Sequence, residues 1–397
     1  MKDQPSESNN IPSDWILNHL GEDRAEYLGA VAPPVFLSSN FCFPNLEAMR
    51  QALSNESSEP FYTRGTNPTL SMLEEKVAAL EGGEAALLFA SGSAAIAAAV
   101  GSCVSMGDHV ICIEKPYSWT TKLLTNWLGK FGVAVDYVDG SRESVQNALR
   151  HETKVLYLET PNSMTFEVQD IADLCQLVKP FGIQVIVDNS YATPIFQKPI
   201  RFGADIVVHS GTKYFSGHSD AVGGLLICNR EKREEIFASE YMTLGGTMSP
   251  MNAWLILRGL RTLPIRLKKS QENGLAVADW LSRNPKIRRV YHPLHTSNPQ
   301  FEVARKQMTG AGGLLSFELN TNESNQVERF CNHLRYFLLA CSWGGYESLC
   351  FPAAALVQSA NYQNSNRPIG LIRIYCGLEE AENLIDDLNQ AIIFSGI

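Results

Sequence analysis

Seven short apolar runs, rich in β-branched residues, recur between residues 86 and 229 with helical segments between them. The runs are ALLFA, HVICIE, VAVDYVD, KVLYLE, QVIVD, DIVVHS and GGLLICN. Alternating strands and helices predict βαβ units, and near-continuous apolar strands predict a mostly parallel sheet that is covered on both faces. The fold class predicted for this region is therefore α/β.

A helix with marked ends precedes these strands, in the segment NPTLSMLEEKVAALEGG. Asn67 can cap its first turn, Pro68 suits that turn, and Gly82 can end the helix. The apolar residues that share one face at helical spacing are Leu70, Leu73, Val77 and Leu80. This face predicts burial against the sheet.

The pattern changes after about residue 262, where strands become fewer and amphipathic helices lie between them. The segments NGLAVADWLSRNPKIRRVYHP, GGLLSFELN and LIRIYCGLEEAENLIDDLNQAI show this change. We expect three units: an N-terminal segment over 1–66, a large α/β domain over 67–262, and a smaller C-terminal α+β domain over 263–397. Because no flexible linker is evident, the domains are expected to pack closely.

Composition and charge exclude several classes of protein. Hydrophobic residues are 45% and charged residues 19% of the 397, which is ordinary globular usage. The formal net charge of −9 argues against a nucleic-acid partner, which would require a basic surface. The uncharged span 85–106 is interrupted by SGS, so it predicts a strand and a small-residue helix rather than a membrane span.

The start of the chain and its cysteines predict a cytoplasmic protein. Residues 1–14 are polar, lack the apolar stretch of a signal peptide, and are expected to form a mobile tail. Nine scattered cysteines include no C-x-x-C pair, so free thiols in a reducing compartment are expected.

Polar residues follow several of the apolar runs. QVIVD ends in Asp188, and DIVVHS ends in Ser210, which Thr212 and Lys213 follow; ALLFA leads into 91–93 at a helix start. The carboxyl ends of strands in an open α/β sheet border the ligand crevice. A helix N-terminus made of small residues suits a phosphate, and the two hydroxyl groups can add donors.

Lys213 is the candidate for covalent chemistry in this set. HSGTK lacks the G-x-x-x-x-G-K-[ST] spacing of a nucleotide-binding loop, and no G-x-S-x-G motif supports a hydrolase nucleophile. A strand-end lysine beside a phosphate site can form a Schiff base with an aldehyde cofactor. Pyridoxal phosphate supplies the aldehyde and the phosphate, and its ring nitrogen requires a carboxylate, for which Asp188 is suitably placed.

Each of these residues also has an ordinary structural interpretation. A strand-end aspartate is often a turn former, and a single lysine is often a solvated amine. Arg373, in LIRIYCG, is either a strand arginine that faces solvent or a clamp for a substrate carboxylate. The histidines show no ligand spacing that would support a metal site.

Taken together, these segments resemble the Cys/Met metabolism family of pyridoxal-phosphate-dependent enzymes. The resemblance runs from about Gly29 to the C-terminus and rests on FYTRGTNPT, LFASGSAA, VIVDNSYATP, VHSGTKYFSGHSD, LRGLRTLPIRL and IRIYCGLE. It implies pyridoxal 5'-phosphate as the cofactor. It also implies the fold-type-I, aspartate aminotransferase-like architecture, in which a large domain with a mostly parallel seven-stranded sheet binds the cofactor and a smaller α+β domain follows.

The resemblance further implies roles for individual residues. Lys213 would form the Schiff base, Asp188 would pair with the ring nitrogen, and Tyr117 would stack on the ring and assist proton transfer. The phosphate would be held by Gly92, Ser93, Ser210 and Thr212. The substrate would contact Arg373, Ser342, Trp343 and Tyr62.

Two residues of the N-terminal segment imply an assembly. Tyr62 and Arg64, in YTR, resemble the pair that in this family reaches the phosphate of the neighbouring subunit. The implied assembly is a homotetramer, built from dimers whose active sites lie between subunits.

Two stretches point to one branch of the family. SWGGYESL (342–349) and ETPNSMTFEVQDI (159–171) are similar to bacterial cystathionine β-lyases. The γ-branch enzymes usually have leucine in place of Trp343 and Asn-Pro in place of Ser163 and Met164. Differences from the β-lyase pattern are TNPT at 66–69, Cys341 in place of a tyrosine, and Trp119 after the stacking tyrosine.

The expected function is therefore β-elimination from L-cystathionine or a related cysteine S-conjugate, which gives a thiol, pyruvate and ammonia. One alternative is γ-chemistry, as in cystathionine γ-lyase, cystathionine γ-synthase or methionine γ-lyase. Another is a non-catalytic binding or regulatory protein that keeps the fold. The expected partner is a small amino-acid substrate, with neither a nucleic acid nor a membrane.

Overall fold

The computed structural model describes residues 11–57, 59–357, 359 and 367–397, which form two β-sheets with helices around them. The strands of the first sheet are β1 (Ala85–Phe89), β2 (His109–Ile113), β3 (Ala134–Val138), β4 (Thr153–Glu159), β5 (Gln184–Asp188), β6 (Ile206–Ser210) and β7 (Gly224–Cys228). The strands of the second sheet are β8 (Ile287–Tyr291), β9 (Leu314–Leu319), β10 (Leu338–Leu339), β11 (Leu349–Pro352) and β12 (Leu371–Tyr375).

The first sheet confirms the seven predicted strands and their mostly parallel arrangement. Its order is β1-β7-β6-β5-β4-β2-β3. Strand β7 runs antiparallel to its neighbours β1 and β6, whereas the other adjacent pairs are parallel. Strands β2 and β7 are buried along their whole length, as expected for a sheet with helices on both faces.

The α-helices surround the two sheets. Those before and within the first sheet are α1 (Ser13–Asn18), α2 (Leu46–Ser54), α3 (Pro68–Glu81), α4 (Gly92–Gly101), α5 (Ser118–Lys122), α6 (Arg142–Ala148), α7 (Ile171–Val178) and α8 (Thr193–Phe196). Those after it are α9 (Arg230–Ile236), α10 (Met242–Leu244), α11 (Pro250–Leu260), α12 (Leu263–Arg283), α13 (Phe301–Gln307), α14 (Ser324–His333) and α15 (Ala381–Ser395).

Helix α3 follows its sequence signals closely. The side chain of Asn67 accepts a hydrogen bond from the backbone N–H of Thr69 at 2.9 Å, and Gly82 ends the helix with a φ of +82°. The four predicted core residues of its apolar face are at most 1% exposed. The span 85–106 likewise forms the predicted strand β1 and small-residue helix α4.

Helix α12 joins the cores of the two sheets. Leu263 and Leu267, in its first turns, pack in a core that also contains Leu257 of α11. Val277 and Leu281, near its end, pack with the second sheet instead. A continuous helix thus carries the chain from one sheet to the other, which explains why no linker composition is visible in the sequence.

The structure describes the polar start of the chain from residue 11 onward. Residues 1–10 lie outside the described residues, but Ser13 and Asp14 begin α1, so the prediction of a tail over 1–14 is wrong at its end. The physical reason is burial, because Ile16 is 3% exposed in the core and its carbonyl accepts from Lys76 Nζ at 2.9 Å. Lys76 also pairs with buried Glu22 at 3.1 Å.

All nine cysteines lie in the described ranges and are free thiols. In the part of the chain that the structure describes, we find no helix that is both long and apolar enough to cross a membrane.

Candidate active site

A cavity of about 400 Å³, here called the main cavity, lies between the carboxyl ends of the first sheet's strands and the second sheet. It brings together most of the predicted site residues, which are Gly92, Ser93, Tyr117, Asp188, Ser210, Thr212, Lys213, Ser342, Trp343 and Arg373. These residues come from segments far apart in sequence. Those of the first sheet meet because its parallel strands end at the same edge. Ser342, Trp343 and Arg373 are brought to this edge by the second sheet and its loops.

One end of the main cavity is the N-terminus of α4. Ser91 caps this helix by accepting from the backbone N–H of Ala94 at 3.2 Å. A Cβ on Gly92 would lie 3.1 Å from Cβ of Ser210, and a Cβ on Gly224 would lie 2.1 Å from the carbonyl oxygen of Ser91. Glycine at both positions therefore lets the positive end of α4 lie directly against β6 and β7, where it suits a phosphate.

The turn after β6 places two hydroxyl groups beside this helix end. The backbone N–H of Ser210 donates to Ser190 Oγ at 2.7 Å, and Thr212 Oγ1 accepts from the N–H of Gly223 at 3.1 Å. The backbone N–H of Lys213 donates to the carbonyl of Ser210 at 3.1 Å. A tight turn thus fixes both hydroxyl residues and the base of the lysine, which fits a phosphorylated aldehyde cofactor.

The amine of Lys213 is held at the junction of the two sheets. Its Nζ donates to Ser342 Oγ at 2.7 Å and lies 5.7 Å from the centre of the Trp343 ring. Burial, together with the positive charge of Arg373, lowers the pKa of Lys213 to about 8. The neutral form that a base or nucleophile requires is therefore a minority close to physiological pH, but a far larger one than for an ordinary lysine.

The loop that carries Ser342 is fitted tightly onto the lysine segment. Ser342 has a φ of +80°, which is uncommon for a residue with a side chain. A Cβ on Gly344 would lie 2.7 Å from the backbone nitrogen of Tyr214. The close approach of this loop therefore fixes the position of the serine hydroxyl that holds the amine.

Two carboxyl groups lie at the ends of adjacent strands, where these strands border the main cavity. Glu159 and Asp188 are paired in the β4–β5 register, and both are buried. Burial raises the pKa of Asp188, although its hydrogen bonds with Ser190 oppose the shift. Burial and the negative charge of Asp188 raise the pKa of Glu159 to about 8. The pair therefore carries less than two negative charges at neutral pH.

Glu159 is a site residue that the sequence reasoning did not select. It ends the run KVLYLE just as Asp188 ends QVIVD, so the rule that selected Asp188 applies equally to it. Its Oε2 accepts from the backbone N–H of Tyr117 at 2.6 Å. The carboxyl group thereby fixes the start of α5, where the Tyr117 ring borders the cavity.

Arg373 belongs to the cavity and not to the solvent-facing side of the second sheet. It lies on β12, opposite Ser316 of β9 and Phe351 of β11. Its Nη1 donates to the carbonyl of Ser163 at 3.1 Å, and its guanidinium lies 5.2 Å from the centre of the Phe351 ring. Arg373 therefore lines the main cavity, and its role as a clamp for a substrate carboxylate stays a prediction.

Trp343 forms a wall of the main cavity and is 8% exposed. Its ring packs against those of Tyr191 and Tyr214, at centroid distances of 6.4 and 5.4 Å. Other residues that line the cavity are Trp119, Ser163, Met164, Cys341 and Arg367. Arg367 follows no apolar run, so no strand-end signal in the sequence could have selected it.

Tyr62 and Arg64 do not line the main cavity of their own chain. The Arg64 guanidinium lies 5.7 Å from the centre of the Tyr62 ring, which is part of a side chain 44% exposed. Leu28, Leu37 and Leu46, earlier in the same segment, are more exposed still. The predicted role of the pair requires a second copy of the chain and stays a prediction.

Among the described residues we find no group of three or more His, Cys, Asp or Glu side chains that could hold a metal ion.

Comparison with known proteins agrees with this geometry. A sequence profile described as Cys/Met metabolism PLP-dependent enzyme matches residues 16–393. The chain is 36% identical over 383 residues to a cystathionine γ-lyase of Bacillus subtilis, covering 95% of this chain and 98% of that protein. It is 36% identical over 379 residues to a cystathionine β-lyase of Lactococcus lactis subsp. cremoris, covering 94% and 97%.

A solved structure of cystathionine γ-synthase from Xanthomonas oryzae pv. oryzae superimposes with a TM-score of 0.90 at 34% identity, covering 98% of this chain and 99% of that one. The architecture is thus the predicted fold-type-I arrangement, with a large seven-stranded sheet and a smaller second sheet.

Proposed function

Because the chain belongs to the Cys/Met metabolism family of pyridoxal-phosphate-dependent enzymes, we propose that it is a carbon–sulfur β-lyase. Its substrate is L-cystathionine or a related cysteine S-conjugate, and its products are homocysteine or another thiol, pyruvate and ammonia. The observation that carries this proposal is Trp343, whose ring forms a cavity wall 5.7 Å from the amine of Lys213.

Trp343 supports the β-lyase branch because tryptophan stands there in the β-lyase pattern and leucine in the γ-branch pattern. Ser163 and Met164, which replace the Asn-Pro of the γ-branch, line the same cavity. Overall identity does not separate the branches, since a γ-lyase and a β-lyase are each 36% identical to this chain. The choice therefore rests on residues that surround the substrate.

Pyridoxal phosphate, the cofactor of the family, supplies an aldehyde for an amine and an electron sink for the bonds at Cα. We assign its phosphate to the backbone of Gly92 and Ser93 and to the hydroxyls of Ser210 and Thr212. We assign its ring nitrogen to Asp188, because a cation there would offset the effect of burial on that carboxyl group. The ring of Tyr117 would cover one face.

In this proposal Lys213 first anchors the cofactor and then acts as the base. Its neutral amine removes the proton from Cα of the substrate, and Arg373 fixes the substrate by its α-carboxylate. The Cβ–S bond breaks, and the sulfur leaves as a thiolate that takes up a proton. The overall reaction consumes one molecule of water, because one thioether and one water give one thiol, one pyruvate and one ammonium ion.

The γ-branch is the second candidate, favoured by relatives named cystathionine γ-lyase and L-methionine γ-lyase. That chemistry requires a second proton removal, at Cβ, for which Lys213 would have to act twice. A non-catalytic protein with this fold is disfavoured. The reason is that Lys213, Asp188, Tyr117 and Arg373 all line one cavity, and the lysine pKa is lowered to about 8.

We also propose that Tyr62 and Arg64 complete the phosphate site of a neighbouring subunit, within a homotetramer of two such dimers. The exposed apolar residues of the segment 28–62 support this proposal, since such a surface is typical of an interface. The units 1–66, 67–262 and 263–397 would then be the subunit-contacting segment, the cofactor-binding domain and the C-terminal domain.

Steady-state kinetics on L-cystathionine, L-cystine and L-methionine, measured side by side on the holoenzyme, test the proposed function. We expect turnover of cystathionine and cystine, each of which has sulfur on Cβ, and negligible turnover of methionine, whose sulfur is on Cγ. Efficient turnover of methionine would contradict β-lyase specificity. The Lys213→Ala variant is the control, and it should be inactive on all three.

A further inference from the structure

A second cavity, of about 290 Å³, adjoins the main cavity and is here called the side cavity. Arg367 and Met164 line both of them. Arg367 therefore lies where the main cavity and the side cavity meet. The main cavity thus contains a second arginine besides Arg373.

Strand β12 runs along both cavities and relates the positions of Arg367 and Arg373. Arg373 on this strand borders the main cavity, and Leu371, two residues earlier, borders the side cavity. Residues two apart on a strand share a face and are about 7 Å from each other. Arg367 precedes the strand in the chain and lines both cavities. A substrate whose α-carboxylate binds Arg373 can therefore extend along β12 towards Arg367.

The side cavity is positively charged. Among the described residues that line it, the cationic ones are Lys115, Arg289 and Arg367, and the one acidic residue is Glu167. Lys115 pairs with Glu167 at 2.7 Å, which offsets that carboxylate. The Arg289 guanidinium lies 4.7 Å from the centre of the Tyr291 ring, which limits its freedom. A ligand group that enters this space is therefore favoured if it is an anion.

We propose that Arg367 selects thioether substrates whose far end carries a carboxylate, by binding that carboxylate at the entrance to the side cavity. This inference rests on the proposed function, because it assigns the part of the substrate beyond the sulfur. Cystathionine has such a carboxylate on its homocysteine half. S-Methyl-L-cysteine has the same Cβ–S bond but ends in a methyl group, so Arg367 gives it no advantage.

Kinetics with Arg367→Gln provide the first test. Because the variant loses a charge-assisted hydrogen bond to the far carboxylate, kcat/KM for L-cystathionine should fall roughly 10- to 100-fold. The value for S-methyl-L-cysteine should stay within about twofold, which also shows that the variant is folded. Arg367→Lys should recover part of the loss. Equal losses on both substrates, or no loss on cystathionine, would overturn the assignment.

A matched control removes a positive charge elsewhere. Arg305 is an exposed arginine on α13 that pairs with Glu302 at 3.5 Å and lines neither cavity. Arg305→Gln should leave both substrates unaffected. If it lowers cystathionine turnover as much as Arg367→Gln does, the effect comes from overall charge and the assignment fails.

Binding of unreactive dicarboxylates gives a readout that is independent of turnover. Isothermal titration of the holoenzyme with the series from succinate to pimelate should show one length that binds at least about tenfold more tightly than the monocarboxylate of equal length. Arg367→Gln should remove this preference, and Arg305→Gln should keep it. If dicarboxylates of all lengths bind the wild-type protein with similar affinity, the inference is overturned.

The two proposals fail in different ways. If S-methyl-L-cysteine and cystathionine both give no pyruvate but the dicarboxylate preference persists and depends on Arg367, the β-lyase proposal is wrong and the carboxylate site stands. If both substrates give pyruvate and Arg367→Gln changes neither, the lyase stands and the carboxylate site is wrong.

Discussion

The groups around the amine of Lys213 fix its position and lower its pKa, as its proposed role as a base requires. The Ser342 hydroxyl holds it at 2.7 Å, and burial and the Arg373 charge lower its pKa to about 8 from the ordinary value of 10.5. Below pH 8 the amine is mostly protonated and cannot accept a proton. Above pH 8 it is mostly neutral, so the fraction of the amine that can act as a base or nucleophile increases through this range.

This environment predicts how the lysine titrates in the cofactor-free protein. The reaction of Lys213 with trinitrobenzenesulfonate, followed by peptide mass spectrometry, should increase with pH with a midpoint near 8. Arg373→Gln should move the midpoint upwards, because it removes a positive charge that disfavours the ammonium form. A midpoint near the ordinary value of a lysine in both proteins would contradict the argument.

Glu159 provides a second prediction at this scale. Its carboxyl group accepts from the backbone N–H of Tyr117, so Glu159→Ala leaves that donor without its partner and loosens the start of α5. We expect the cofactor dissociation constant, measured by fluorescence titration, to increase about 10-fold or more. Glu159→Gln keeps an acceptor oxygen and should lie close to wild type. Equal effects of the two variants would show that charge, not the hydrogen bond, is what matters.

At the scale of elements, the main cavity depends on how closely α4 approaches β6 and β7. Gly224, the first residue of β7, leaves room for the carbonyl of Ser91, from which a Cβ would be only 2.1 Å away. An added methyl group must push the helix end or the strand aside. The phosphate site and the stability of the large sheet are therefore coupled through this contact.

Gly224→Ala should lower the free energy of unfolding by about 1–3 kcal/mol or more and weaken cofactor binding. Gly129 is the matched control, because a Cβ there would meet no atom within 4 Å. Gly129→Ala should leave both properties unchanged. Thermal unfolding with and without added cofactor measures the two effects, and an unchanged melting temperature for Gly224→Ala would refute the packing argument.

The sequence predicts the elements better than their arrangement. The seven strands of the first sheet could be recognised because each is a short, mainly apolar run and most of the runs are separated by helices. Helix α3 could be recognised because its cap, its apolar face and its final glycine agree. The order of the sheet could not be predicted, since β7 is as apolar as the parallel strands although it runs antiparallel between β1 and β6.

In the candidate site, too, the sequence predicts residues that follow a local pattern but not those placed by tertiary packing. Asp188 could be selected because it ends an apolar run, and Lys213 because it closely follows one; Glu159 could have been selected by the same rule as Asp188. Arg367 could not, because its place in the cavity depends on how the second sheet packs against the first, a tertiary contact that leaves no local pattern.

At the scale of the whole molecule, Tyr62 and Arg64 lie outside the cavity of their own chain, so their proposed role requires two subunits. Co-expression of Lys213→Ala with Arg64→Ala tests it. A mixed dimer would contain one intact site, so random pairing should restore roughly a quarter of wild-type activity. Lys213→Ala with Arg373→Gln is the control. Both changes lie in one chain's cavity, so this mixture should stay inactive, and equal activity of the two mixtures would contradict the intersubunit site.

In the proposed function the chain removes sulfur from Cβ of its substrate. Incubation of the holoenzyme with L-cystathionine, followed by mass spectrometry of the products, provides the decisive test, because the two possible cleavages give different pairs of compounds. We expect pyruvate and homocysteine in equal amounts. Formation of 2-oxobutyrate and cysteine would contradict the proposed function and would assign the chain to γ-elimination.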